Sequence, residues 1–225
     1  MSTQTEAPVA ATAATGIRPS LFAFAIFYGG MVCIAGVLGN KQVALGPMAV
    51  EAGIFAFLLL VVTSSSVAEL HGRETANRLV LWGFVPLLIS LGLTKLVLLL
   101  PPSQSMNKDV LGAFEIMMGA TPRIWLGGIF AYGISTQLNV TIFAKLKRAE
   151  SSKFLWFRSA VASGLSQIVD TVIFITIAFY NVVKPSIIPL IEGQMLAKVV
   201  LSVVMVPPLI YLFVAIGRRL DAKAY

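Results

Sequence analysis

Six long stretches of the chain carry almost no charge, and the polar positions gather between them. They run Leu21 to Gly39, roughly Met48 to Ala68, Leu79 to Leu100, Ile124 to Ala144, Leu155 to Tyr180 and Met195 to Ile216. Each is close to the ~20 apolar residues a helix needs to cross a ~30 Å hydrocarbon layer. The apolar residues form continuous runs and do not alternate, so no β-barrel is indicated. The pattern predicts an all-α integral membrane protein with six transmembrane helices. Pro101 and Pro102 should stop the third helix, and Pro207 and Pro208 should kink the sixth. The connection from Pro101 to Arg123 contains an apolar segment, Val110 to Met118. Two readings fit that segment: a lid over an outward cavity, or an interfacial helix that only joins two spans.

Composition agrees with lipid as the solvent. Of 225 residues, 57% are hydrophobic and 12% charged, against about 25% charged in soluble domains. A net charge of +7 does not mark a nucleic-acid groove here, because the basic residues cluster beside the apolar runs. One side of the predicted bundle receives Arg18, Arg73, Arg78, Lys145, Lys147, Arg148, Lys153, Arg158, Arg218, Arg219 and Lys223; the other receives Lys41, Lys108, Arg123 and Lys184. Eleven against four places both termini in the cytoplasm (N-in, C-in), which an even number of spans allows. Residues 1–17 are rich in Ala and Thr, lack the charged start of a signal peptide, and read as a disordered cytoplasmic tail ahead of a six-helix domain over 18–225.

The chemistry available is narrow. Cys33 and His71 are the sole cysteine and histidine, so a disulfide within the chain and a thiolate or multi-histidine metal site are excluded. No Walker loop, HExxH or GxSxG motif occurs. An enzyme is therefore not expected, nor an ATPase within the chain, nor a cofactor.

Polar residues inside the spans carry the functional reading, since charge is costly at membrane depth unless it faces a cavity, a partner or a water path. Asp170 falls near the middle of the fifth span and is too short to snorkel. Ser163, Gln167, Asp170 and Phe174 follow helical spacing and share one face, a polar stripe with an aromatic end that suits a small polar ring compound. The alternative is a structural hydrogen-bond seam between helices. In the fourth span Gln137 and Thr141 share one face, and Tyr132, Thr136 and Asn139 another. Such a helix should be surrounded by protein, with its amides serving a ligand or a neighbouring helix. Lys198, about one turn into the sixth span, could pair with Asp170 or meet a ligand, although the sequence slightly favours snorkelling to the outer interface. Asn40 could cap the first span or line the outer mouth. Thr63 to Ser66, a polar run in the second span, allow close packing or a broken helix.

Four segments, "SSSVAELHGRETANRLVLWGF", "TPRIWLGGIFAYGISTQLNVTIFAKLKR", "SGLSQIVDTVIFITIAF" and "EGQMLAKVVLSVVMVPPLIYLF", resemble in content and order the queuosine precursor transporters, also called the vitamin uptake transporter family. The chain departs from the family pattern at Ser64 to Ser66 and at Asn139. The resemblance implies six helices arranged as in the substrate-binding components of energy-coupling-factor transporters. It also implies a bacterial inner-membrane location and import of a 7-deazaguanine such as 7-cyano-7-deazaguanine for tRNA modification. No ATPase module is expected as a partner, and homo-oligomerisation stays open. A different reading is a substrate-binding subunit of an ATPase-dependent vitamin importer. The expected partners are a purine-like small molecule and the lipid bilayer. On the residues, Asp170 could accept the adjacent N–H groups of such a ring, Gln137, Asn139, Gln167 or Lys198 could donate to its carbonyl, and Phe174 and Tyr132 could wall it.

Overall fold

The computed structural model describes residues 17–149 and 155–223, except the side chains of 136, 137, 139–141, 143–149, 155–163 and 203. Among the described residues the chain forms seven helices and one hairpin. These are α1 (Pro19–Leu38), β1 (Gln42–Leu45), β2 (Met48–Glu51), α2 (Ile54–His71), α3 (Arg73–Leu99), α4 (Lys108–Ala149), α5 (Leu155–Phe179), α6 (Ile188–Val204) and α7 (Val206–Ala222). On length and hydropathy α1, α2 and α3 can each cross a membrane, and α6 with α7, bent by 51° at their junction, makes a fourth candidate. The bend falls where Pro207 and Pro208 enter the first turn of α7, positions at which a missing N–H costs little. Large apolar side chains such as Leu81, Trp82, Leu88 and Ile89 stand outward on α3, and a surface of that kind demands lipid or protein. The chain is a multi-pass helical membrane protein.

The hairpin corrects the expected start of the second span. Met48 to Glu51 are strand, and the helix begins at Ile54. The strands pair antiparallel from Gln42–Glu51 to Leu45–Met48, and Gly46 turns the chain at φ 61°, as the first residue of a two-residue hairpin connection can require. The strand β2 then packs on α6 so closely that a Cβ at Gly193 would collide with the Ala49 carbonyl oxygen. In lipid, where apolar burial gives no drive between helices, close approach of this kind supplies much of the packing energy.

Around the hairpin the helices assemble by contact. The helix α2 lies against α1, α3 and α7, and α4 pairs along its length with α5. Phe24, Tyr28, Val67, Ala76 and Leu79 form the apolar cluster among α1, α2 and α3, with Phe213 of α7 stacked on Phe24 at 5.8 Å. The hydroxyl run in α2 does not break the helix. Thr63 and Ser66 donate to the carbonyls of Leu59 and Val62, at 2.7 and 2.8 Å, within their own helix. The segment Val110 to Met118 is neither a separate lid nor a separate helix: it is continuous with α4 through Pro122. At the end of α5, Arg123 donates to the carbonyls of Ile177 (2.5 Å) and Tyr180 (2.8 Å). At the opposite end of the bundle, Ser20 donates to Asp221 at 2.8 Å and meets His71 Nε2 at 2.7 Å. That cluster gathers the start of α1, the end of α2 and the end of α7.

Candidate functional site

A cavity of about 510 Å³ lies among these helices, within the ~300–1,000 Å³ range of small-molecule sites. Its lining follows α2 from Ile54 to Ala68 and reaches Arg73 beyond the α2–α3 turn. Tyr28, Phe57, Phe84, Trp125, Tyr132 and Phe174 supply aromatic walls, while Glu51, Gln167, Asp170, Gln194 and Lys198 supply the main polar groups.

The α5–α6 face is built on an ion pair. Lys198 Nζ donates to Asp170 Oδ2 at 2.8 Å and to Thr171 Oγ1 at 3.2 Å, and it lies 4.9 Å from the centre of the Phe57 ring. Ser135 Oγ donates to Asp170 Oδ1 at 3.1 Å. Each carboxylate oxygen of Asp170 therefore already accepts one hydrogen bond. Both charged side chains are largely buried, at 11% and 13% exposure. Snorkelling of Lys198, which the sequence slightly favoured, does not occur: an ammonium withdrawn from solvent is stabilised by a carboxylate within reach.

The hairpin face holds a second carboxylate, which the sequence reading had not placed in the site. Glu51 is 3% exposed. The Gly53 N–H donates to its Oε1 at 2.7 Å, and Gln194 Nε2 lies 3.4 Å from its Oε2. The Glu51 backbone N–H donates to Gln194 Oε1 at 3.0 Å. An N–H can only donate, so this bond fixes which end of the Gln194 amide is oxygen and turns its NH₂ toward the carboxylate. Space for the carboxylate comes from missing side chains, since a Cβ at Gly39 would stand 2.5 Å from Oε1 and one at Gly53 would overlap it. Glu51 belongs to β2, outside the spanning helices, and burial pushes its carboxyl up to about 7, opposed by the Gly53 N–H, Lys198 and Gln194.

Of the residues proposed from sequence, Asp170, Gln167, Lys198, Tyr132 and Phe174 all line this cavity. Asn40 lies elsewhere: it donates to Thr121 Oγ1 at 2.7 Å and to the Val37 carbonyl at 3.1 Å, closing the end of α1. The side chains of Gln137, Asn139 and Ser163 lie outside the described residues. Glu51 and Gln194 were missed because a hairpin, not a helix period, brings them together. The signal available was the Gly46–Pro47 pair between short apolar runs.

Helices suited to lipid, enclosing a ligand-sized cavity with a buried charge pair, define a membrane protein that handles a small molecule. The family model described as "Putative vitamin uptake transporter" matches residues 51–213, and the chain belongs to that family, one of transporters and not of enzymes. A protein of Bacillus subtilis (strain 168) described as "Probable queuosine precursor transporter" is 32% identical over 115 residues, covering 51% of this chain and 49% of that protein. The chain thus spans about half the length of the curated relative it matches. No solved structure matches.

Proposed function

We propose that the chain imports a purine-like base of the 7-deazaguanine class across a bacterial inner membrane, as a precursor for tRNA modification. The observation that carries this reading is the cavity, with the Asp170–Lys198 pair on one wall and the rings of Phe57, Phe174 and Tyr132 around it. A flat heteroaromatic ring needs both: apolar faces for its π surface and a few fixed polar groups for its edge. The family supports a transporter, and the similarity to the Bacillus subtilis queuosine precursor transporter supports this class of cargo. In this reading the polar groups of the cavity hold the ring's polar edge, and Gln167 is one of them.

The accompanying topology has six crossings with both termini in the cytoplasm, α6 and α7 together forming the bent sixth. The tie among Ser20, His71 and Asp221 supports a common side for the start of α1 and the end of α7. Transport proceeds without a dedicated ATPase module.

The test is uptake of labelled 7-cyano-7-deazaguanine into cells unable to make it. Expression of the chain should raise uptake well above an empty-vector control, and Asp170→Asn should abolish the rise while the protein still reaches the membrane. Uptake equal to the control would reject the cargo. Uptake by the purified chain in liposomes tests independence from an ATPase, which a strict requirement for added ATPase subunits would refute.

A further inference from the structure

The polar groups of the cavity are not equally available to a ligand. Both oxygens of Asp170 are engaged, one by the Lys198 ammonium and one by the Ser135 hydroxyl. Of the two Glu51 oxygens, Oε1 is held at 2.7 Å by the Gly53 N–H, whereas among the described residues Oε2 has only the long 3.4 Å approach of Gln194. Gln194 cannot turn to improve that contact, because its own oxygen is held by the Glu51 N–H. A carboxylate oxygen without a short donor, on the lining of a cavity and 3% exposed, is an acceptor waiting for a partner.

Lys198 completes the pattern. An ammonium has three donors, and two of them go to Asp170 and Thr171. Gln194 and Lys198 are four residues apart on α6, so they share a face. Glu51, joined to Gln194, therefore lines the cavity beside the α6 face that carries Lys198. A donor beside an acceptor complements a ring edge that carries a carbonyl next to N–H groups.

We propose that Glu51, and not Asp170, reads the donor edge of the transported ring: Glu51 accepts the ring N–H and exocyclic amine, while Lys198 donates to the neighbouring carbonyl. Asp170 then acts by holding Lys198 in place and balancing its charge. This rests on the base-carrier reading above, and names the group within that site that distinguishes a guanine-type ring from rings lacking the amine.

The experiment is equilibrium binding to the purified full chain in detergent, using 7-deazaguanine and 7-deazahypoxanthine, which differ only in the exocyclic amine. The wild type should prefer 7-deazaguanine by about tenfold or more, the scale of one hydrogen bond to a charged acceptor. Glu51→Gln should reduce that preference to about twofold or less. Glu51→Asp, which keeps the charge but withdraws it by one methylene, serves if the glutamine variant does not fold, and should give an intermediate preference. A wild type that binds neither ring overturns the base-carrier reading itself. A wild type that binds both rings equally, or Glu51 variants that discriminate as the wild type does, overturns the role given to Glu51 and leaves the carrier reading standing.

Discussion

On the α5–α6 face of the cavity a carboxylate meets a cation 2.8 Å away, and a hydroxyl occupies its other oxygen. On the hairpin face, among the described residues, a more deeply buried carboxylate accepts hydrogen bonds from neutral donors only, one backbone N–H and one amide. The first arrangement balances charge side chain against side chain across two helices. The second balances it with a fixed turn and with room left by glycines. The comparison teaches that the two carboxylates have different work available to them: Asp170 is committed to its partner, and Glu51 keeps an oxygen for something else. Removing a partner should therefore be far more damaging on the first face than on the second.

The largest effect is expected from Lys198→Met. Removing one member of a buried pair leaves an uncompensated charge, at a cost of about 3–5 kcal/mol. Thermal unfolding of the purified protein should show it as a large drop in Tm. Adding Asp170→Asn to Lys198→Met should restore much of the loss, and a double variant as unstable as the single one would show that the pair does not act as a unit. A smaller but substantial loss is expected from Gly193→Ala. The new methyl meets backbone at Ala49, which cannot rotate away, so α6 must move off β2 at about 1–3 kcal/mol. That substitution alters no polar side chain, yet it displaces Gln194 from Glu51 and should weaken ligand binding as well. Unchanged binding would separate the hairpin seat from the site.

Away from the cavity, Ser20→Ala tests the tie at the far end of the bundle. The Ser20 hydroxyl is fully buried, donates to Asp221 and accepts from His71, so its loss should cost about 1–2 kcal/mol by taking a donor from the half-buried Asp221 carboxylate and an acceptor from the His71 ring. Binding at the cavity should not change. A loss of affinity without a loss of stability would show that the two ends communicate.

These contrasts also mark how far the chain can be read without coordinates. The first helix begins and ends near its expected limits and the third ends near its own, because lipid-facing helices are continuous in hydropathy and prolines punctuate them, whereas the polar first turns of α3 from Arg73 lie outside the apolar run. The stripe Gln167, Asp170 and Phe174 was legible for the same reason: it needs only the helical period. What periodicity cannot supply is a partner on another element. Lys198 lies 28 residues from Asp170 and Gln194 lies 143 from Glu51, and no local pattern encodes either meeting. The hairpin was hidden for a further reason. Met48 to Val50 are apolar and adjoin the apolar start of α2, so strand and helix merge into one run in a hydropathy reading.

The smallest effect on stability is expected from Glu51→Gln, and its size is the sharpest form of the comparison. The glutamine carbonyl can still accept from Gly53, but its NH₂ then faces the NH₂ of Gln194, two donors where one acceptor had been. Against that loss stands the relief of a buried negative charge. The two oppose each other, and the net change should stay within about 1 kcal/mol near neutral pH. The balance should move with pH in a definite direction. Burial raises the Glu51 carboxyl from 4.5 to about 7, so the wild type is favoured while the group is protonated in both states. That advantage is lost progressively as pH rises from about 4.5 to about 7. Glutamine does not titrate. Tm measured across this range should therefore show Glu51→Gln gaining on the wild type as pH rises, and levelling off above the upper limit. A difference in Tm that stays flat, or that runs the other way, would mean that Glu51 is paired as fully as Asp170, and the distinction between the two faces would be lost.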